Sequence, residues 1–323
     1  MSLRIAIRVD SSTQIGTGHF MRCLTLADEL VQRGAQVRFI SRHILSYLLD
    51  MLTKKGIEFM PLENEKGPSN IDELPHAHWL EVSQQQDAQA TVKAISDQSW
   101  DWLIVDHYAL DIRWELVLRN SVQKIFVIDD IADRRHDCDM LLDQNFYKNM
   151  EIRYKGLISS QCTKLFGPNY ALLRREFIET RKRLRKRDGK IKKIFVSFGG
   201  SDPTNETVKA LEAIHLLGKT NIEVDVVIGT SSIHRETIAT ICDLMQEVKI
   251  HYQVSNMAEL MANADLSIGA GGATTWERLG FKEGQCPEAE RYYAEAISLP
   301  MYSGLTEIQQ NEVVMGLRDA TNP

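Results

Sequence analysis

The 323-residue chain has no Cys-x-x-Cys pair, no apolar run approaching the ~18 residues that a membrane span needs, and no surplus of positive charge. Each absence removes a class of protein. The five cysteines, Cys23, Cys138, Cys162, Cys242 and Cys286, are odd in number and scattered. They form neither a metal-binding knuckle nor a disulfide framework and read as reduced thiols. No membrane contact is expected, and Met1 to Val9 enters a strand pattern without a basic leader, so the expected compartment is the cytoplasm. Lys plus Arg total 38 against 44 Asp plus Glu, a formal net charge of −6, which is unsuited to neutralising nucleic-acid phosphates. With only 19 Gly and 8 Pro, 43% hydrophobic and 25% charged residues, the composition is neither collagen-like nor disordered. A globular chain long enough for two domains of ~150 residues is left, expected to act as a monomer.

What is present alternates. Leu3 to Val9 is an apolar run suited to a strand buried on both faces, followed by a polar turn from Asp10 to Gly18. From His19 onward, Phe20, Cys23, Leu24, Ala27, Leu30 and Val31 recur at helical spacing, with Gly34 placed to end the helix. Gln36 to Ile40 resumes strand character, which completes a parallel strand, helix, strand unit. Ile57–Met60, Trp102–Val105, Lys124–Ile128 and Asp139–Leu142 continue the pattern. The run from Glu179 to Gly189 carries Leu184 as its single large apolar residue among crowded Arg and Lys, and reads as a solvated connection. The strands then restart at Ile194–Phe198, Ile222–Ile228, Lys249–Tyr252 and Leu266–Ile268. The expected fold class is α/β, two Rossmann-like domains. The expected divisions are a first domain at 1–178, a basic linker at 179–190, a second domain at 191–280 and a separate tail at 281–323.

The first chemical candidate is Gly16-Thr17-Gly18-His19, between the first strand and the first helix, at the edge of a parallel sheet where ligands bind. Met21 stands where a dinucleotide fingerprint needs its third Gly, and no Gly-Lys-Ser/Thr follows, so neither NAD nor ATP is indicated. A His in the first helical turn feels the positive end of the helix dipole, which favours the uncharged ring and a general-base role. Capping the helix or packing beneath the loop is the plainer alternative. Two Gly-rich turns follow strands in the back half: Gly199-Gly200-Ser201-Asp202-Pro203 and Gly269-Ala270-Gly271-Gly272-Ala273-Thr274-Thr275-Trp276-Glu277. Their amides suit a diphosphate, and Glu277 suits ribose hydroxyls. Asp202 with Pro203 reads as an N-cap and first-turn pair. Asp10, Asp106-His107-Tyr108 and Asp129-Asp130 sit at strand ends, either facing substrate or capping helices. His76 and His78 have ligand spacing but lack a convincing third donor, so no metal and no cofactor is expected.

Five stretches together, Ile7–Leu26, Val105–Glu115, Ile128–Asn145 and the two Gly-rich turns, resemble the family of UDP-2,4-diacetamido-2,4,6-trideoxy-β-L-altropyranose hydrolases of pseudaminic acid biosynthesis. The resemblance covers about the first 280 residues. It implies a glycosyltransferase-B-type architecture, with a cleft between the domains and UDP held mainly by the second. It also implies hydrolysis of a UDP-linked sugar at C1 with inversion, with His19 as the base. Asp10, Gly16, Gly18, Arg22, Asp106 and Tyr108 are then expected near the sugar, and Gly199, Gly200, Ser201, Gly271, Gly272, Thr274 and Glu277 near UDP. Glycosyl transfer on the same architecture is an alternative, though no sequence feature marks an acceptor site.

Beyond about Leu279 the resemblance changes. The stretches Ala296–Met301 and Gly304–Gln310 are similar to the C-terminus of the sugar aminotransferase of the same pathway, without any part that holds pyridoxal phosphate. Thr306 with Gln309 fits a capping box. A second domain shortened in this way leaves a catalytically impaired fusion remnant as the rival to an active hydrolase.

Overall fold

A computed structural model describes residues 2–63, 72–147, 149–185, 189–218, 221–229, 232–252 and 254–270. By its contacts the chain divides into two units, Met1–Leu172 and Leu173–Pro323. The first unit runs β1 (Arg4–Val9), α1 (Gly18–Gln32), β2 (Gln36–Ser41), α2 (Ser46–Lys54), β3 (Glu58–Pro61), α3 (Gln84–Ala94), β4 (Trp100–Asp106), α4 (Ile112–Leu118), β5 (Val122–Ile128), β6 (Met140–Asp143), α5 (Met150–Arg153) and β7 (Thr163–Phe166). Its seven strands form one sheet in the order β3-β2-β1-β4-β5-β6-β7. Every pairing is parallel.

Alternation along these strands builds two cores. Ile5, Ile7, Val9, Ile104, Phe126 and Ile128 pack with Phe20, Cys23, Leu24 and Ala27 of α1 and Leu48 and Leu52 of α2. Ala6, Leu103, Val105, Ile125 and Val127 face the other way, onto Ala88 of α3 and Trp114 and Leu118 of α4. Strands covered on both faces must be apolar at every position, which is why they stand out in the sequence. Arg8 breaks that rule. Its guanidinium, 0% exposed, is held by Asp10 of the same strand end (2.6 and 2.9 Å) and by Asp87 of α3 (3.1 and 2.8 Å). Arg42 also donates to Asp87, at 3.1 Å, and Trp114 donates to it through its indole N–H at 3.0 Å. Two buried carboxylates face two buried guanidiniums, so the charges balance inside the core.

The second unit carries α6 (Arg175–Arg181), β8 (Lys193–Ser197), α7 (Glu206–Leu216), β9 (Glu223–Ile228), α8 (Arg235–Asp243), β10 (Val248–Tyr252), α9 (Met257–Asn263) and β11 (Leu266–Gly269). Among the described residues its sheet has the order β10-β9-β8-β11, again all parallel. One face packs Ile194, Val196, Val224 and Val226 against α7 and α8. The other packs Phe195 and Val227 against Ala258 and Met261 of α9 and against Phe177 of α6. Phe177 explains why the chain divides at Leu172 rather than at 178: burying this ring ties α6 to the second core. The expected basic linker at 179–190 begins inside α6, and Arg185 donates to the Asn263 carbonyl at 3.2 Å and to the carboxylate of Asp265. The expected tail at 281–323, with its Thr306/Gln309 capping box, lies outside the described residues.

Candidate active site

Among the described residues of both sheets the chain reverses its order of strand addition, between β1 and β4 in the first unit and between β8 and β11 in the second. The carboxyl ends of the strands at such a switch point open a crevice, because the connections on either side leave in opposite directions. His19 follows β1 and Asp106 ends β4, so the first unit's crevice holds the pair.

His19 Nδ1 lies 2.6 Å from Asp106 Oδ1. A carboxylate only accepts, so this ring nitrogen donates to it, and in the uncharged ring the lone pair then lies on Nε2. Among the described residues the hydrogen-bond contacts of the ring are made at Nδ1, and the side chain is 11% exposed. Arg22, one turn further along α1, grips the same carboxylate with a fork: Nε to Oδ2 at 2.6 Å and Nη2 to Oδ1 at 2.7 Å. Its Nη1 donates to Asp130 Oδ2 at 2.8 Å, and the Tyr108 hydroxyl donates to the other Asp130 oxygen. Burial opposes ionisation of Asp106, yet Arg22 and His19 override it and hold the carboxyl well below the usual range. Burial likewise opposes the charge of Arg22, and Asp106 with Asp130 more than restores it. Tyr108 is pushed far up by burial and by Asp130, so it stays a neutral donor.

An aromatic wall surrounds the imidazole. The Tyr108 ring meets His19 edge-on at 4.5 Å, and Trp79 lies 6.0 Å from His19 and stacks on Tyr108 at 5.6 Å. His76 packs on Trp79 at 4.6 Å and on Tyr108 at 5.2 Å. Trp79 and His76, in and beside the short turn Ala77–Trp79, were no part of the expected sugar site. No periodicity marks a loop residue, and the available signal was the concentration of His-Ala-His-Trp itself. His76 and His78 form no metal cluster, and none exists among the described residues. Burial lowers the basicity of His76.

The start of α1 is unoccupied by its own chain. Thr17 makes no side-chain cap and the first turn holds no acid. Gly16 has φ +78°, a left-handed backbone that itself calls for glycine. Gly18 needs no such φ, and a Cβ there would meet nothing within 4 Å, so neither conformation nor packing within the chain requires glycine at this position.

Asp10 is fully buried: besides Arg8, the amides of Arg42 and His43 donate to it at 2.7 and 3.2 Å, and His107 Nε2 lies 3.2 Å away. It fastens the ends of β1 and β2. Arg22 and Asp106 are buried too, with their polar atoms engaged in each other, His19 and Asp130. They stand behind the imidazole rather than in front of it.

In the second unit, Gly199 follows β8 with φ +85° and is exposed, and Gly200 and Ser201 are half-buried beside it. Gly200 is close against Gly229, where a Cβ would come within 2.2 Å of the Gly200 carbonyl oxygen. The helix after this turn starts later than expected, at Glu206, and Asp202 caps it from outside: its two oxygens accept from the amides of Glu206 (2.9 Å) and Thr207 (3.0 Å). A carboxylate thus already occupies the anion-favouring end of α7. Gly271, Gly272, Thr274 and Glu277 lie outside the described residues.

No protein-family model matches the chain. It is 26% identical over 284 residues to the uncharacterized protein MJ1062 of Methanocaldococcus jannaschii, covering 86% of this chain and 54% of that one, so it spans about half the length of that relative. A solved glycotransferase of kitacinnamycin is similar in fold, with a TM-score of 0.60 and 18% identity over 100% of this chain and 92% of that one. The fold is accordingly α/β, of the kind shared by glycosyltransferases built from two Rossmann-like domains. At 27% identity over 281 residues, 87% of this chain and 89% of its own, the chain is similar to the UDP-2,4-diacetamido-2,4,6-trideoxy-beta-L-altropyranose hydrolase of Campylobacter jejuni, which agrees with the resemblance read from the motifs.

Proposed function

We propose that the chain hydrolyses a UDP-linked 2,4-diacetamido-2,4,6-trideoxy hexose at C1, releasing UDP and the free sugar. The single observation that carries this reading is the oriented imidazole of His19, whose Nδ1–H donates to Asp106 and which comes one residue after Gly18, where a Cβ would meet nothing within 4 Å. Nε2 takes a proton from water, the water oxygen bonds to C1 from the face opposite the diphosphate, and the C1–O bond breaks with its electron pair leaving on UDP. Asp106 stabilises the imidazolium that forms. The indole of Trp79 gives the methyl-rich sugar, with its two acetyl groups and deoxygenated C6, an apolar surface next to the base. UDP is assigned to the turns after β8 and β11, with Gly199, Gly200 and Ser201 in the first and Gly271, Gly272, Thr274 and Glu277 in the second. Asp202 already engages the first α7 amides, so the start of α7 is not assigned to the diphosphate.

The test is turnover of the UDP-sugar followed by NMR. The wild-type chain yields UDP and free sugar without an added acceptor, and His19→Asn lowers the rate by roughly 100-fold or more while calorimetry shows UDP still bound. Unchanged turnover in that variant removes His19 from the reaction. A requirement for a sugar or alcohol acceptor supports glycosyl transfer, which the fold also serves. Absence of both UDP binding and turnover supports the impaired remnant.

A further inference from the structure

Arg22 spends its whole guanidinium on the machinery behind His19. Two of its nitrogens fork onto Asp106, the third reaches Asp130, and Nη2 lies 3.2 Å from His19 Nδ1 while sharing Asp106 Oδ1 with it. A carboxylate paired with a histidine alone favours the charged ring, and a protonated ring cannot act as a base. A cation on the same oxygen draws the carboxylate's charge the other way. We infer that Arg22 is a positioning residue that sets the protonation of His19, by sharing Asp106 with it so that the ring stays uncharged until it takes the proton of the attacking water. The inference deepens the reading above and rests on His19 being the base.

The surrounding groups leave this role to Arg22. On α1 it is the cation beside the ring. From the end of β4 come Asp106 and Tyr108, the latter a neutral donor that satisfies Asp130. His107 beside them bonds the Ala109 amide through Nδ1, and burial depresses its basicity. From the turn before α3 come His76, whose basicity burial also lowers, and the outer His78. Asp130 at the end of β5 faces Arg22, and Arg134 lies over the far side of Tyr108, 5.6 Å from its centroid. Cys23 contributes a weak thiol donor to Asp106 at 3.5 Å. Without Arg22, Asp106 and Asp130 would lie behind the ring with no intervening cation.

The experiment is an NMR titration of the His19 ring in the free protein, its signal assigned by loss in His19→Gln. In Arg22→Gln the midpoint rises by about one pH unit or more, and in Asp106→Asn it falls below that of the wild type. In Arg22→Lys it rises by less, since one ammonium cannot hold both carboxylates as the fork does. The acid limb of kcat/KM moves in the same directions. A midpoint in Arg22→Gln equal to or below that of the wild type, with circular dichroism showing an intact fold, overturns the inference. Should Arg22→Gln fail to fold, Arg22→Lys decides alone, and an unmoved midpoint there overturns it equally. The titration needs no substrate, so it stands apart from the turnover test of His19 as a base.

Discussion

At the scale of single residues, position in sequence revealed where chemistry sits better than which way side chains face. His19 was marked by its glycine turn, but Asp10 and Asp106 looked alike, each ending a strand at the same edge of the sheet. What separates them is Arg8. A guanidinium inside a strand covered on both faces needs a carboxylate, and Asp10, two residues on and so on the same side, supplies it. Asp106 has no such neighbour in its strand and is free to meet α1. Trp79 was missed because it belongs to a loop that reaches His19 only through the fold. Its expected role is contact with the sugar and no part in proton transfer. Trp79→Ala therefore raises KM by about tenfold with kcat little changed, as expected for loss of an interaction made equally in ground and transition states. A fall in kcat at unchanged KM contradicts the assignment.

Among the elements, strands buried on both faces were plain in the sequence, and β7 was not. β7, at the edge of the first sheet, reads Thr-Lys-Leu-Phe with its first two residues exposed, and leaves no apolar run to detect. The start of α7 was displaced for a different reason. Asp202 and Pro203 have the chemistry of a cap and first turn, but Asp202 adopts φ +41° and Asn205 φ +57°, so the chain turns once more before the helix begins and the carboxylate reaches forward to its amides. Asp202→Ala removes both contacts and lowers stability by about 1 kcal/mol, seen as a drop in Tm. A Tm equal to that of the wild type contradicts the cap.

For the whole molecule, the parallel pairing in both sheets follows from alternation of strand and helix, whereas the strand order and the side-chain network spanning Arg22 to Asp130 could not be read from spacing. That network also predicts how stability depends on pH. Burial opposes ionisation of Asp10, Asp87 and Asp106, but Arg8 and Arg22 override it and hold all three low. The stability they contribute is present above the ordinary carboxylate pKa and is lost as pH falls through their folded values. Asp143 has the opposite sign: burial pushes it up to about 6, against hydrogen bonds from the Asn145 amide and Tyr154. Its contribution is full below about pH 4 and is lost as pH rises through about 6, on the order of 3 kcal/mol. Between pH 4 and 8, Asp143→Asn gains Tm relative to wild type as pH rises, whereas parallel curves contradict the assignment. The account as a whole turns on water attacking C1 with His19 as its base, and hydrolysis of the UDP-sugar in isotopically labelled water tests this most directly. Label in the free sugar, lost together with turnover in His19→Asn, is the predicted result. Label in the phosphate of UDP, or no cleavage by the wild-type chain, would contradict it.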